Sequence, residues 1–253
     1  MSIKSSIKDF YNNYSLEFSN TRKKEWPEFK YIVEEIEQTI IKKWKIKILE
    51  LWCWDWRLFN FLNKIFWKKI EYLWVDISKW LIEIAKKNNN FDNCNFIISD
   101  MLDFLENRKE NEQFDFVIAV ASLQHIPTRW ERLLILKHTY RILLYNWKFI
   151  MFNWSFSKWF FKKYKAQILK SLIIWILSLW TKSINDIMVP WKSDKWTIYR
   201  YYHIFFMFEL KMLLKQTSFL IEKNCYINKR WEKSISRIDS RNSCIIAKKW
   251  VLL

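Results

Sequence analysis

Apolar residues recur at helical spacing over residues 25–43, with Phe29, Ile32, Val33, Ile36 and Ile40 on one face. That periodicity predicts an amphipathic helix. The pattern then changes. Short, mainly apolar runs appear at 46–51, 70–75, 95–99, 114–120 and 148–153. Each has the length of a buried strand. Helical patterns fill the gaps, at 57–66, from Ser78 as a plausible N-cap through 87, and at 128–144. Asn146-Trp147 stands where an Asn-Gly turn is usual, just before the fifth run. Strands alternating with helices predict βαβ units and a parallel sheet. After Asn153 the alternation stops. Residues 154–200 are basic, aromatic and irregular in pattern. A helix at 206–216 and two strand-like runs, 219–227 and 243–247, close the chain. The longest apolar stretch, 168–180, contains Lys170 and is too short to span a bilayer. It reads as a buried or cap helix, so no stable membrane insertion is expected. There is no internal repeat.

Composition changes this picture at one point. The chain has 253 residues, 51% hydrophobic and 27% charged. That balance suits a globular domain and excludes a disordered or collagen-like chain. Yet it has no glycine and 18 tryptophans. At a usual glycine share of about 7%, this length would carry roughly 18. Tight turns and helix ends need positive φ, which only glycine takes cheaply. The tryptophans stand where glycine is wanted: Trp147 in the turn, and Trp52, Trp54 and Trp56 alternating after the first strand. The reading is that most tryptophans are glycines in the living protein, encoded by UGA. The rest of the composition suits an A/T-rich gene, with 33 lysines against 10 arginines and only 5 alanines.

Net charge is +17. A polyanion partner, RNA or DNA, explains it; so does lysine inflation by A/T-rich coding. Cys53, Cys94, Cys225 and Cys244 lie far apart without a C-x-x-C pair, which reads as neither a disulfide framework nor a zinc site. With no signal-peptide core at the N-terminus, the expectation is a cytoplasmic, metal-free protein.

The chemistry concentrates in "ILELWCWDWR" (48–57). With glycine at 52, 54 and 56 it becomes a glycine-rich turn after the first strand. Such a turn lets backbone N–H groups approach a ligand at a helix N-terminus. Asp76 ends the second strand 24 residues after Trp52, where a carboxylate can accept ribose hydroxyls. Asp100 ends the third strand, placed to meet an adenine amino group. Either aspartate could instead cap the helix that follows it. All three features sit at the carboxyl ends of successive strands and converge on one crevice.

That loop, "YLWVDISKWLIEIAKK" (72–87) and "FDFVIAVASLQHI" (114–126) resemble the successive motifs of class I S-adenosylmethionine (SAM)-dependent methyltransferases, type 11 branch. The match covers roughly residues 46–153, with tryptophan at each glycine position. It implies a Rossmann-like α/β fold: a mostly parallel sheet, helices on both faces, and an antiparallel hairpin from the two C-terminal runs. It implies SAM as cofactor, bound by Arg22, Glu50, Trp52, Cys53, Trp54, Asp76, Ile77, Asp100, Met101 and Val120. The domain expectation is an N-terminal helical segment (1–45), a SAM-binding core (46–153), a basic and aromatic insertion capping the substrate (154–200), and a C-terminal helix and hairpin (201–253).

A narrower resemblance spans nearly the whole chain. "EFSNTRKKEWPEF" (17–29), "DIMVPWK" (186–192), "YRYYHIF" (199–205) and "RNSCIIAKK" (241–249) are similar to the tRNA wobble-uridine methyltransferases, which methylate the carboxylate of 5-carboxymethyluridine. This implies tRNA as partner, leaves room for a small activating protein, and takes Trp26, Trp154 and Trp191 as true tryptophans. A carboxylate nucleophile is already ionised at neutral pH, so the enzyme mainly aligns and desolvates its reactants. Arg200, Tyr202 and His203 are the candidate catalytic residues of the substrate pocket, with Tyr201 beside them. His125, after the fourth strand, shapes the pocket rather than abstracting a proton. Lys158, Lys162, Lys163 and Lys165, interleaved with Phe156, Phe160, Phe161 and Tyr164, suit an RNA-facing surface or a solvated amphipathic helix. The alternatives are a small-molecule or lipid-precursor methyltransferase, and a non-catalytic RNA-binding protein on the same fold.

Overall fold

The computed structural model describes residues 2–21, 24–41, 43–52, 56–88, 91–109, 111–179, 181–193 and 196–250. In chain order it runs α1 (Ile3–Asn13), α2 (Ser15–Asn20), α3 (Phe29–Ile40), β1 (Ile46–Leu51), α4 (Arg57–Phe66), β2 (Ile70–Asp76), α5 (Lys79–Asn88) and β3 (Cys94–Ile98). It continues through α6 (Met101–Glu106), β4 (Phe114–Val120), α7 (Arg129–Ile142), β5 (Leu143–Trp154), α8 (Lys158–Lys163) and α9 (Lys165–Leu177). The last elements are β6 (Asp186–Lys192), β7 (Thr197–His203), α10 (Met207–Gln216), β8 (Phe219–Asn228), β9 (Lys233–Ser234) and β10 (Ser240–Lys249).

The main sheet has the order β3-β2-β1-β4-β5-β10-β8-β9. Strands β1 to β5 are parallel, and β10 runs antiparallel between β5 and β8. The chain goes outward from β1 to β3, then returns to place β4 on the other side of β1. That reversal opens a crevice at the carboxyl ends of β1 and β4. β4 lies in the middle of the sheet, and all seven of its residues are buried, as a strand between two helical layers requires; its one charge, Asp115, is paired with Lys43 at 2.6 Å. One layer packs α1, α2, α6, α7 and α10 on the sheet, through side chains such as Phe10, Phe18, Leu105, Leu136 and Leu214. The other uses α3, α4 and α5, through Ile32, Ile36, Phe59, Leu62 and Ile82. This is the expected Rossmann-like architecture.

Two expectations change. Asn146-Trp147 is not a turn between elements. Strand β5 already begins at Leu143, and the β4–β5 register shifts between Phe114 and Phe116, with Asn146 at φ 68°. The extra residues are absorbed as a bulge, which asparagine tolerates better than most. Residues 154–200 are not irregular either. They form α8, α9 and a separate two-stranded antiparallel sheet, β6–β7. A third apolar cluster, including Phe160, Ile187, Val189, Tyr202 and Ile204, holds this cap together. β7 runs through the expected boundary at residue 200. α9 is a cap helix with only Ser171 buried. No helix among the described residues is long and apolar enough to cross a membrane.

Candidate active site

Beyond Leu51, Trp52 turns the chain out of the sheet at φ 65°. Its backbone N–H donates to the Val75 carbonyl at 2.7 Å, which pins the turn to β2. Trp56 begins α4, also left-handed, at φ 39°. Cys53, Trp54 and Arg22, expected to touch the cofactor, lie outside the described residues.

The carboxylates stand where the strands end. Asp76 is 1% exposed, and its Oδ1 accepts from the Ser78 N–H at 2.8 Å. Asp100 caps α6 by accepting from Leu102 N–H, and Lys4 Nζ approaches it at 3.3 Å. The capping alternative is realised at Asp100; at α5 the cap is Ser78, whose Oγ accepts from Leu81 N–H at 3.3 Å, and Asp76 holds the turn before it. Glu50, buried on β1, accepts from the Tyr72 hydroxyl at 2.9 Å. Ile77 follows Asp76 and is half-buried; Met101 and Val120 are buried apolar contacts at the starts of α6 and of the loop after β4.

On the acceptor side, β7 alternates. Arg200 and Tyr202 face the crevice. The Arg200 guanidinium lies over the rings of Phe10, Tyr202 and Phe18 at 4.8, 5.3 and 5.9 Å. Its Nη1 donates to the Tyr11 hydroxyl at 3.3 Å. Tyr11 in turn meets His125 Nε2 at 3.3 Å, and His125 Nδ1 lies 3.1 Å from the Tyr201 carbonyl. One proton arrangement satisfies the chain: arginine donates to tyrosine, tyrosine to Nε2, and Nδ1–H to the carbonyl. Burial, then the Arg200 charge, push the His125 pKa down to about 3, so the imidazole is neutral. Its ring lines the crevice between Tyr11, Trp52 and Tyr202.

Tyr201 and His203 face the other way. His203 Nδ1 lies 2.6 Å from Asp186 Oδ1, and its Nε2 lies 2.8 Å from Glu209. Tyr201 donates to the same Asp186 oxygen at 2.6 Å. Burial works against the Asp186 charge, but the His203 and Tyr201 hydrogen bonds outweigh it and hold the carboxyl below its ordinary pKa. With both nitrogens engaged, His203 ties β6, β7 and α10 together. The structure thus brings Arg200 and Tyr202 to one site and leaves His203 out of it. Tyr11 is the functional side chain missing from the sequence reading. Its signal was present in the spacing of Ile7, Phe10, Tyr11, Tyr14 and Phe18.

The Trp52 indole decides how this crevice receives a nucleotide. It is 5% exposed, tilted against His125 at 5.2 Å between centroids and edge-on to Tyr11 at 6.3 Å. Its Nε1–H is buried without a partner among the described residues. A polar N–H stranded in a filled crevice is costly. With tryptophan at 52 the residues do not fit a cofactor; with the side chain absent, the carboxyl ends of β1 and β4 stand open.

Residues 47–169 match the family model described as a methyltransferase domain. That stretch, just under half of the chain, is similar to a methyltransferase domain. Solved structures agree on the fold. A SAM-dependent methyltransferase from Methanosarcina mazei aligns with TM-score 0.64 at 19% identity, over 85% of this chain and 97% of that one. One from Clostridium acetobutylicum aligns with TM-score 0.62 at 11% identity, over 99% and 100%. The Burkholderia thailandensis 1,6-didemethyltoxoflavin-N1-methyltransferase, solved with its substrate and S-adenosylhomocysteine, aligns with TM-score 0.63 at 10% identity, over 98% and 89%. A search of curated proteins finds no match. The matched stretch covers β1 through α8 and the start of α9, and so contains every described carboxylate of the crevice. The chain shares its fold with SAM-dependent methyltransferases.

Proposed function

We propose that the protein is a SAM-dependent methyltransferase acting on a carboxylate carried by a modified wobble uridine of tRNA. The observation that carries the reading is Arg200. Its guanidinium is 5% exposed, and among the described residues no carboxylate pairs with it. A buried cation held by rings and one hydroxyl is a receptor for an anion that the protein does not itself supply. Its neighbour His125 is neutral and fully hydrogen-bonded, so the site offers no ready base beside that cation. A carboxylate acceptor needs none. Arg200 would orient it and exclude water, while the Tyr11 hydroxyl holds the guanidinium plane. Trp154 stacks between Tyr202 and Tyr164 and backs the wall of the site. Lys158, Lys162, Lys163 and Lys165 are exposed beside it, where anticodon phosphates would lie. The reading takes glycine at 52, 54 and 56.

The test is transfer of labelled methyl from SAM, with that glycine-bearing protein, to tRNA carrying carboxymethyluridine. The same tRNA with the carboxylate already esterified is the control. Label on the first alone, released by mild alkali as an ester, is the expected result. Equal labelling of both overturns the carboxylate assignment. One observation favours a second reading. On and just after α9, Leu169, Ile173, Ile176, Leu177 and Leu179 are 49–85% exposed, an apolar surface suited to a lipid-precursor acceptor. Label entering a lipid extract and not tRNA would select it.

A further inference from the structure

Eight described residues hold positive φ, and four are tryptophans: Trp52 and Trp231 at 65°, Trp56 and Trp67 at 39°. With 18 tryptophans in 253 residues, an even spread would put fewer than one there. Tryptophan has no intrinsic reason to be left-handed, since its Cβ clashes as any other does. Each of the four stands where a chain feature demands that conformation. Trp52 turns β1 into the crevice. Trp56 leads into α4. Trp67 ends α4 at φ 39° and ψ −131°, a region almost confined to glycine. Trp231 closes the β8–β9 turn, donating its N–H to the Asn228 carbonyl at 3.0 Å while Asn228 N–H bonds Glu232. That is a turn followed by one left-handed residue, the usual glycine bulge of a hairpin.

Three others behave differently. Trp26, Trp154 and Trp191 are absent from the positive-φ set, and their rings have partners. Trp26 stacks on Phe29 and lies under the Arg57 guanidinium at 5.3 Å. Trp154 stacks on Tyr202, and Trp191 meets Phe10 edge-on at 5.1 Å. Ring contacts alone do not separate the two sets, since Trp52 packs on His125 and Arg241 lies over Trp231 at 5.1 Å; the sign of φ does.

We propose that the functional protein carries glycine at positions 52, 56, 67 and 231, through UGA codons its cell decodes as glycine, and tryptophan at 26, 154 and 191. The assignment rests on the methyltransferase reading only at position 52; the other three stand on backbone conformation. The test is peptide sequencing by mass spectrometry of the protein purified from its own cells, with the gene's codons read alongside. Glycine at the four, encoded by UGA, and tryptophan at the three, encoded by UGG, is the expected result. Tryptophan at any of the four, or glycine at any of the three, overturns the rule. A recombinant pair adds a physical readout. W52G/W56G/W67G/W231G should melt at a higher temperature than the printed chain, and W26G/W154G/W191G at a lower one. The opposite order overturns the proposal. None of these readouts involves a methyl acceptor, so glycine at the four with no methylation of tRNA would sink the wobble-uridine reading alone.

Discussion

The loop after β1 and the β6–β7 hairpin both place an indole beside helix α1. At Trp52 the backbone is left-handed, the ring nitrogen has no partner, and the ring fills the mouth of the parallel sheet. At Trp191 the residue sits in a regular strand, opposite Ile198, and its ring packs edge-on against Phe10 and Tyr14. Residue type and the neighbouring helix are shared; the energetics are opposed. A non-glycine residue in the left-handed region costs about 1–2 kcal/mol, and a buried unpaired donor about 1–3 more. Each aromatic pair instead contributes about 0.5–1.5 kcal/mol beyond its buried area. Backbone conformation therefore separates side chains that a fold uses from side chains it merely accommodates.

The largest effect expected from breaking this contrast is on cofactor binding. Trp52→Gly, Trp54→Gly and Trp56→Gly made together should convert a protein with no calorimetrically detectable SAM affinity into a binder. Removing Trp191 instead should leave the printed chain as inert as before. Equal SAM affinity in the triple variant and the printed chain would refute the claim that indoles block the crevice.

Next in size is the cation at the acceptor end. In the glycine-bearing protein, Arg200→Ala should lower single-turnover methylation of tRNA by about 10- to 100-fold. That is the loss of a charge-assisted hydrogen bond of roughly 1.5–3 kcal/mol. SAM affinity should hold within about twofold. Arg200→Lys should recover only part of the rate, because an ammonium cannot offer the planar fork. His203→Ala separates this from a general disturbance of the hairpin. It loosens the Asp186–Glu209 anchor, so it should lower thermal stability more than it lowers the rate per folded molecule.

Much of this was legible in the residues. The strand runs, the carboxylates at their ends and the glycine-like loop all follow from short-range pattern, and the structure puts them together. The cap was not legible, for physical reasons. β6 carries Pro190 and neither alternates nor runs continuously apolar, and its partner β7 is recognisable only once Arg200–His203 are known to be buried on both faces. The separation of Arg200 from His203 is a consequence of strand alternation, visible only when that segment is known to be a strand. The Arg200–Tyr11–His125 chain joins residues 189 and 114 positions apart, which no local pattern encodes.

The buried imidazole gives a pH signature. His125 has a folded pKa of about 3 against an ordinary 6.5. The unfolded chain therefore takes up a proton that the folded chain refuses. Stability is full above about pH 6.5 and falls as pH drops toward 3, by about 1.4 kcal/mol per unit. Urea unfolding at pH 7 and pH 5 should differ by about 2 kcal/mol, and His125→Gln should remove most of that difference. An unchanged difference would place the titration elsewhere.

The sharpest form of the comparison pairs two single substitutions of opposite sign, the smaller of which is the finest test. Trp154 stacks on Tyr202 and Tyr164 and meets Phe160 edge-on at 6.2 Å. Trp154→Gly removes those contacts and adds glycine's chain entropy inside β5, so it should destabilise by about 3 kcal/mol. Trp67 is 60% exposed, and its backbone N–H bonds Asn63 whatever the side chain. Trp67→Gly gives up little packing and relieves a conformation that strains any residue with a Cβ. Part of that relief is offset by the greater freedom glycine has when unfolded, about 0.5–1 kcal/mol. The net should be a gain of about 1 kcal/mol. Both variants are read by denaturant midpoint at constant m. If Trp67→Gly instead lowered the midpoint by as much as Trp154→Gly, then the sign of φ would not distinguish the two classes of tryptophan.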